Sequence, residues 1–214
     1  PIRYPRSISM SGKKNIVFGF FYLALTASLG PYMLVKLYPE IAASENVKQE
    51  KLGALQQAQS SNYEIDLNKM SAEQIATTSA DAVLALSARL NAEQPVDAIK
   101  SGPHAHGNLE ALLNIAVGIL LAFLAVPVVF KQVISWTFIV GTLLHSGVLF
   151  LAAALQLPFA AKLLASPLAP AGPLLILLGL LLAGVAAVMG YQAVPVKGDG
   201  GKKKKASRPK APRI

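Results

Sequence analysis

All three histidines of this chain lie between residues 104 and 145. Two of them open the run Pro103-His104-Ala105-His106-Gly107-Asn108-Leu109-Glu110, with Asn114 one turn on. A helix that begins near His106 stacks His106, Glu110 and Asn114 on one face at i, i+4 and i+8. On a later helix, Thr142, His145 and Ser146 share a face. Imidazole and carboxylate together bind copper or zinc, which makes His104, His106, Glu110 and His145 candidate metal ligands. An imidazole is also an axial ligand for haem b, a role open to His106 or His145. Glu110 and His145 could instead relay protons or contact a quinone. The structural alternative places His104 and His106 at a wet interface and Glu110 at the positive end of a helix. His145 then hydrogen-bonds Asn114 or Thr142. A His-x-His pair by itself does not choose among these.

The elements that must position these residues are apolar. Four uncharged stretches run from Asn15 to Val35, Ala111 to Phe130, Gln132 to Ala161 and Leu163 to Val196. Each has the ~20 residues that a helix needs to cross ~30 Å of hydrocarbon. The chain is 53% hydrophobic and only 14% charged, against about 25% charged in a soluble domain. The expected fold is therefore an all-α integral membrane protein with four transmembrane helices. Its segments are a basic arm (1–14), a first span (15–37), a helical extracytoplasmic segment (38–107), a three-span region (108–196) and a basic tail (197–214). Within the three-span region the helices are expected over 108–130, 133–156 and 173–193, with a hairpin turn near Pro127 to Lys131.

Charge sets the orientation. The formal charge is +9, but ten of the eleven acids lie between Glu40 and Glu110. Arg3, Arg6, Lys13 and Lys14 precede the first span, and eight basic residues from Lys197 to Arg213 follow the last. Short Lys/Arg-rich segments stay in the cytoplasm, so both termini are expected inside, with Lys131 on the same side. Lys202, Lys203, Lys204 and Lys205 suit anionic lipid headgroups. Nucleic acid is the disfavoured partner, since the run has no interleaved aromatics and follows a membrane span. The first span is too long for a signal-peptide core, and Lys36, Pro39 and Glu40 spoil the nearest cleavage candidate, Ala42-Ala43-Ser44. The localisation these features imply is the bacterial inner membrane.

The outer segment reads as two helices, one over about Ser44 to Gln59 and one opened by a capping box at Ser71-Ala72-Glu73-Gln74. Ile75, Val83, Leu86 and Leu90 recur at near-helical spacing and offer a stripe for a partner. Pro95 is expected to end or bend that helix, as Gly30-Pro31 is expected to kink the first span. Small residues at Gly141 and Gly147, and at Gly179 with Ala183, are points where spans can approach closely. The chain has no cysteine, which removes disulfides and thiolate chemistry. No phosphate-binding loop, dinucleotide glycine pattern, Ser/His/Asp set or zinc-protease motif is present.

Trp136-Thr137-Phe138-Ile139-Val140-Gly141, Ser146 to Leu151 and the Pro173 turn resemble a small four-helix bacterial membrane family of unknown function. His104-Ala105-His106-x-Asn108-Leu109 is similar to the haem-ligating helix start of nitric oxide reductase and related haem–copper subunits. That second likeness implies His106 or His104 as a haem ligand, with His145 the only other histidine available. Two functions follow as expectations. One is an accessory subunit of a larger respiratory or electron-transfer complex, without catalysis of its own and surrounded by other membrane subunits. The other is a small redox or metal-binding protein built on the histidine hairpin, with haem b or copper. A transporter is less favoured, because no pair of broken helices or inverted repeat shows in the sequence.

Overall fold

The computed structural model describes residues 10–65 and 68–193. The lysines at 202–205 lie outside them. The chain enters α1 (Met10–Ala27), an apolar run without proline. Its buried residues are Gly12, Asn15, Gly19, Tyr22 and Thr26, continued by Leu29 and Met33. That alternating spacing of three and four is the 3.5-residue repeat of helices packed side by side. The partner is α5 (Ala105–Leu120), which buries Gly107, Glu110, Ala111, Asn114, Val117 and Gly118. Glycines let the two backbones touch: a Cβ on Gly118 would sit 2.7 Å from the Gly12 carbonyl oxygen, and one on Gly107 2.5 Å from Thr26 Cγ2. Without a hydrophobic force between helices in lipid, such close van der Waals packing is what holds them.

The helical path breaks after Ala27, passes through α2 (Leu29–Tyr32) and a π-helical turn (Met33–Leu37), then resumes as α3 (Tyr38–Ser60). Pro31 lacks the N–H that a continuous helix requires, which accounts for the expected break at Gly30-Pro31. Asn62 and Tyr63, both at positive φ, turn the chain. A minimal antiparallel pair, β1 (Glu64–Ile65) with β2 (Asn68–Lys69), closes the tip. α4 (Ala72–Ile99) begins at the expected capping box: Gln74 N–H donates to Ser71 Oγ and Ser71 N–H to Gln74 Oε1. α3 and α4 pack as an antiparallel hairpin. Arg89 spans its two helices, bonding Glu45 on α3 and Glu93 on α4, both at 2.8 Å.

Pro95 lies inside α4, which continues to Ile99, so of the two expected outcomes an end of the helix there is excluded. Of the stripe read as a partner contact, Val83, Leu86 and Leu90 face outward, 65%, 43% and 54% exposed, and Ile75 is half-buried. The packed face is made of Ala82, Ala85, Val96 and Ile99. Small alanines let α3 and α4 come close, and that contact wins over burial of the larger side chains.

α5 stops at Leu120, well short of the expected helix over 108–130. Residues 121–127 leave helical geometry, with Ala125 N–H bonding the Gly190 carbonyl and Gln192 N–H the Phe123 carbonyl. The chain thus pairs with the end of the last helix instead of continuing its own. α6 (Val128–Thr142) follows Pro127, then a π-helical turn (Leu143–Gly147), α7 (Val148–Ala153), α8 (Pro158–Leu164) and α9 (Ala171–Gly190). α9 lies on α6 through Gly172, Ile176, Gly179 and Ala183. Gly141 meets Ile176 and Gly179 meets the Phe138 ring, as the small residues suggested; Gly147 makes no comparably close approach. Leu121, Leu124, Ile134 and Phe138 fill the centre with no exposure. Lys131, expected in the turn, is buried at the start of α6 and donates from Nζ to the Leu121 carbonyl oxygen at 3.0 Å. It satisfies an end of α5 that has no helical partner.

Three helical runs are long and apolar enough to cross a membrane: Gly12–Ser60, Val128–Ala153 and Ala171–Gly190. The 49-residue first run is about 74 Å long at ~1.5 Å per residue. That is more than twice the hydrocarbon thickness, so the polar α3 half extends beyond it. α5, at 16 residues, is about 24 Å long and is not by itself such a run.

Candidate histidine–glutamate site

Three Gly-Pro pairs occur in the sequence, at residues 30–31, 102–103 and 172–173, and the fold brings all three to one level. Gly102 departs from helical geometry (φ −91°, ψ −106°) inside a π-helical turn, Lys100–His104, that joins α4 to α5. A Cβ on Gly30 would lie 3.6 Å from the His104 ring, and one on Gly172 2.5 Å from the His145 amide nitrogen. The π-helical turns that carry His104 and His145 therefore sit beside these breaks. Such turns recur at functional sites in helices.

Between them stands Glu110, 4% exposed. Its Oε1 lies 2.5 Å from His145 Nδ1, and its Oε2 accepts a hydrogen bond from Ser146 Oγ at 2.5 Å. Ser146 commits its proton to Glu110, so Tyr22 OH is the donor in the 2.9 Å contact between Tyr22 and Ser146 Oγ. The carboxyl group is thus satisfied on both oxygens, as a buried acid must be. The His106 ring packs on the His145 ring with centroids 4.8 Å apart and a tilt of 55°. His106, Glu110 and His145 each offer one ligand atom within 4.8 Å of the others. An open cleft of about 560 Å³ lies against the pair, lined by Ser101, Gly102, His106, His145 and Leu149 among others.

A second polar group lies deeper. Asn114 donates to Thr142 Oγ1 at 2.9 Å and to the Glu110 carbonyl oxygen at 3.0 Å. Asn15 donates to Asn114 Oδ1 at 3.0 Å and to the Ser135 carbonyl oxygen at 3.1 Å, and it accepts from Ser135 Oγ. Asn15 therefore ties α1 to both α5 and α6. Among the described residues the two groups meet at backbone carbonyls: Asn114 donates to the Glu110 carbonyl oxygen and Ser146 Oγ reaches that of Thr142 at 3.3 Å. The deeper group ties helices together.

The structure brings Glu110, Asn114, Thr142, His145 and Ser146 together, as their helical faces implied. It places three residues differently. His104 points away from the ring pair, its Nδ1 3.1 Å from the Thr26 carbonyl oxygen. Glu110 does not sit free at a helix end but is locked to α6 and its π-helical turn. His145 is level with Glu110 and His106, although a hairpin turning near Pro127 to Lys131 between two unbroken helices would set it one to two turns deeper than His106. The early end of α5 and the extra residue of the π-helical turn, which rotates the helix face, account for that shift. Sequence reasoning missed Asn15, Tyr22, Thr26 and Ser135. The seven-residue spacings Gly12–Gly19, Asn15–Tyr22 and Gly19–Thr26 were the available signal on α1.

A haem held between two imidazoles does not fit. With two iron–nitrogen bonds of about 2 Å, the ring centres would stand roughly 6 Å apart with a flat macrocycle between them. The His106 and His145 rings are in direct contact, and His104 turns elsewhere. No family model, no curated protein and no solved structure matches this chain.

Proposed function

We propose that this chain is a small multi-pass inner-membrane protein whose working element is a transition-metal site at His106, Glu110 and His145. One observation carries the reading: two imidazoles and a buried carboxyl group converge within 4.8 Å from helices that the chain brings together across 35 residues. Residues 105–127 complete a fourth crossing, with both termini in the cytoplasm and the α3–α4 hairpin outside. The test is metal analysis of the detergent-purified protein after exposure to Cu²⁺ or Zn²⁺. One ion per chain is expected, lost in both His106→Ala and His145→Ala. A wild-type protein that binds neither ion at micromolar concentration sinks the reading. A reporter fused after Pro95 should be active only outside the cytoplasm and one after Gly200 only inside; the reverse overturns the topology.

The outward stripe favours a second, compatible reading, an accessory role in a larger electron-transfer complex. Val83, Leu84, Leu86 and Leu90 are each 43% exposed or more on a hairpin that stands beyond the lipid-facing helices. Polar replacements at Val83 and Leu86 should release co-purifying membrane subunits without preventing insertion. A wild type that purifies alone as a stable monomer in mild detergent argues against it.

A further inference from the structure

Resting on the metal-site reading, we infer that, among the described residues, His106 and His145 are the ligands of the ion. Glu110 acts as a positioning residue that fixes the tautomer of His145, and the ion keeps open coordination positions toward the cleft.

Three observations separate Glu110 from the ligands. The first is distance. Two atoms bound to one ion at ~2.0–2.1 Å sit roughly 2.9–3.4 Å apart in octahedral or tetrahedral geometry. Glu110 Oε1 and His145 Nδ1 are 2.5 Å apart, which is a hydrogen bond with no room for an ion between them. The second is occupancy. Glu110 Oε2 already accepts from Ser146, which is backed by Tyr22. The third is access. The Glu110 side chain is 5% exposed and that of His145 21%, whereas both histidines line the cleft. An ion arriving from the cleft meets imidazole nitrogen, not carboxylate.

The chemistry follows. A carboxylate on Nδ1 holds the proton there and leaves Nε2 as the free lone pair. A carboxylate behind a metal-bound histidine also makes the imidazole a stronger donor. Ser146 and Tyr22 hold the carboxyl group in place, so the ring cannot turn its Nδ1 to the ion. Two imidazole nitrogens suit copper or zinc over magnesium or calcium, which take oxygen. Two ligands do not close a four-coordinate site. The remaining positions face the 560 Å³ cleft, where water or a small anion can bind.

Copper(II) is the probe for the test. Wild-type protein in detergent is loaded with one equivalent of Cu²⁺ and its electron paramagnetic resonance recorded, with and without azide. The expected spectrum shows coupling to two nitrogens, and azide changes it. His106→Ala and His145→Ala each lose the bound copper and with it the two-nitrogen spectrum. Glu110→Gln is expected to keep the two-nitrogen spectrum and one copper per chain, with an affinity about 10–100-fold lower. Thermal unfolding of the metal-free Glu110→Gln protein shows whether it remains folded. Loss of copper stoichiometry in folded Glu110→Gln, equal to the histidine variants, makes Glu110 a ligand and overturns the inference while leaving the metal site standing. Unchanged affinity in Glu110→Gln, or indifference to azide, also overturns it. Absence of copper from the wild type fails the underlying reading instead.

Discussion

Asn15 and Asn114 are both fully buried, and removing each should cost a definite and unequal amount. Asn15 makes three hydrogen bonds to other helices, to Asn114 Oδ1, the Ser135 carbonyl oxygen and Ser135 Oγ. Asn114 makes two, to Asn15 and Thr142, plus one to the preceding turn of its own helix. Interhelical hydrogen bonds in membrane proteins average ~0.6 kcal/mol and reach ~1.7. On that scale Asn15→Ala should lose about 2 kcal/mol and Asn114→Ala about 1 kcal/mol, before any cavity cost. The larger figure is roughly a 30-fold change in the unfolding constant, at about 1.4 kcal/mol per tenfold. The two residues share one bond, so the double variant should fall short of additivity by about 0.6 kcal/mol. Steric trapping in bicelles reads these quantities at equilibrium. Ser28→Ala is the control, because Ser28 is exposed and bonds only the Leu25 carbonyl of its own helix. An Asn15→Ala effect no larger than that of Ser28→Ala, or a fully additive double variant, would refute the claim that Asn15 joins three helices.

The absence of cysteine makes the α1–α5 packing directly testable: Thr26→Cys with Gly107→Cys should form a disulfide on mild oxidation, since a Cβ at Gly107 would lie 3.0 Å from Thr26 Cβ, and a separation of the two helices by under about 1 Å brings the pair to disulfide spacing. No cross-link under conditions that oxidise exposed thiols would contradict the packing. In the α3–α4 hairpin, hydrogen bonds from Lys48, Gln49 and Arg89 hold the Glu45 carboxyl group down to about 2. A depressed carboxyl pKa contributes stability that is complete above the unfolded value, ~4.3, and is lost as pH falls from there toward 2. Helical circular dichroism between pH 6 and 2.5 should show the melting temperature falling less in Glu45→Gln than in the wild type; parallel curves would exclude the ion pairs as its source. Gly118→Leu should push α5 off α1, because even a Cβ there lies 2.6 Å from Ile16 Cγ1. The expected sign is loss of the Thr26–Gly107 cross-link in that background, and retention would mean that the helices repack.

Much of this fold was legible as one-dimensional chemistry. The long apolar runs predict helices suited to lipid, because transfer to hydrocarbon is summed residue by residue and a helix satisfies its own backbone. Ser71 and Gln74 specify a helix start through bonds that span three residues. The shared faces of Glu110 with Asn114, and of Thr142 with Ser146, follow from helical periodicity alone. Where local rules met packing, packing decided. The helix expected over 108–130 stops at Leu120. On α4 the alanine face packs while Val83, Leu86 and Leu90 stay outward, and the helix runs past Pro95 to Ile99.

Whether the histidines share a site depends on distances that no local pattern contains. The pairing of His145 with Glu110 required α5 to stop at Leu120, residues 123–125 to pair with the end of α9, and a π-helical turn to rotate α6. Each is a choice between a chain's own helical bonds and contacts with residues far away in sequence. The same competition turned His104 to Thr26 and recruited Asn15 and Tyr22 from a helix that the apolar pattern marks only as a span. Composition and periodicity therefore define the helices and their solvent, since those energies are local. Register between helices decides the site, since that energy exists only when distant segments touch.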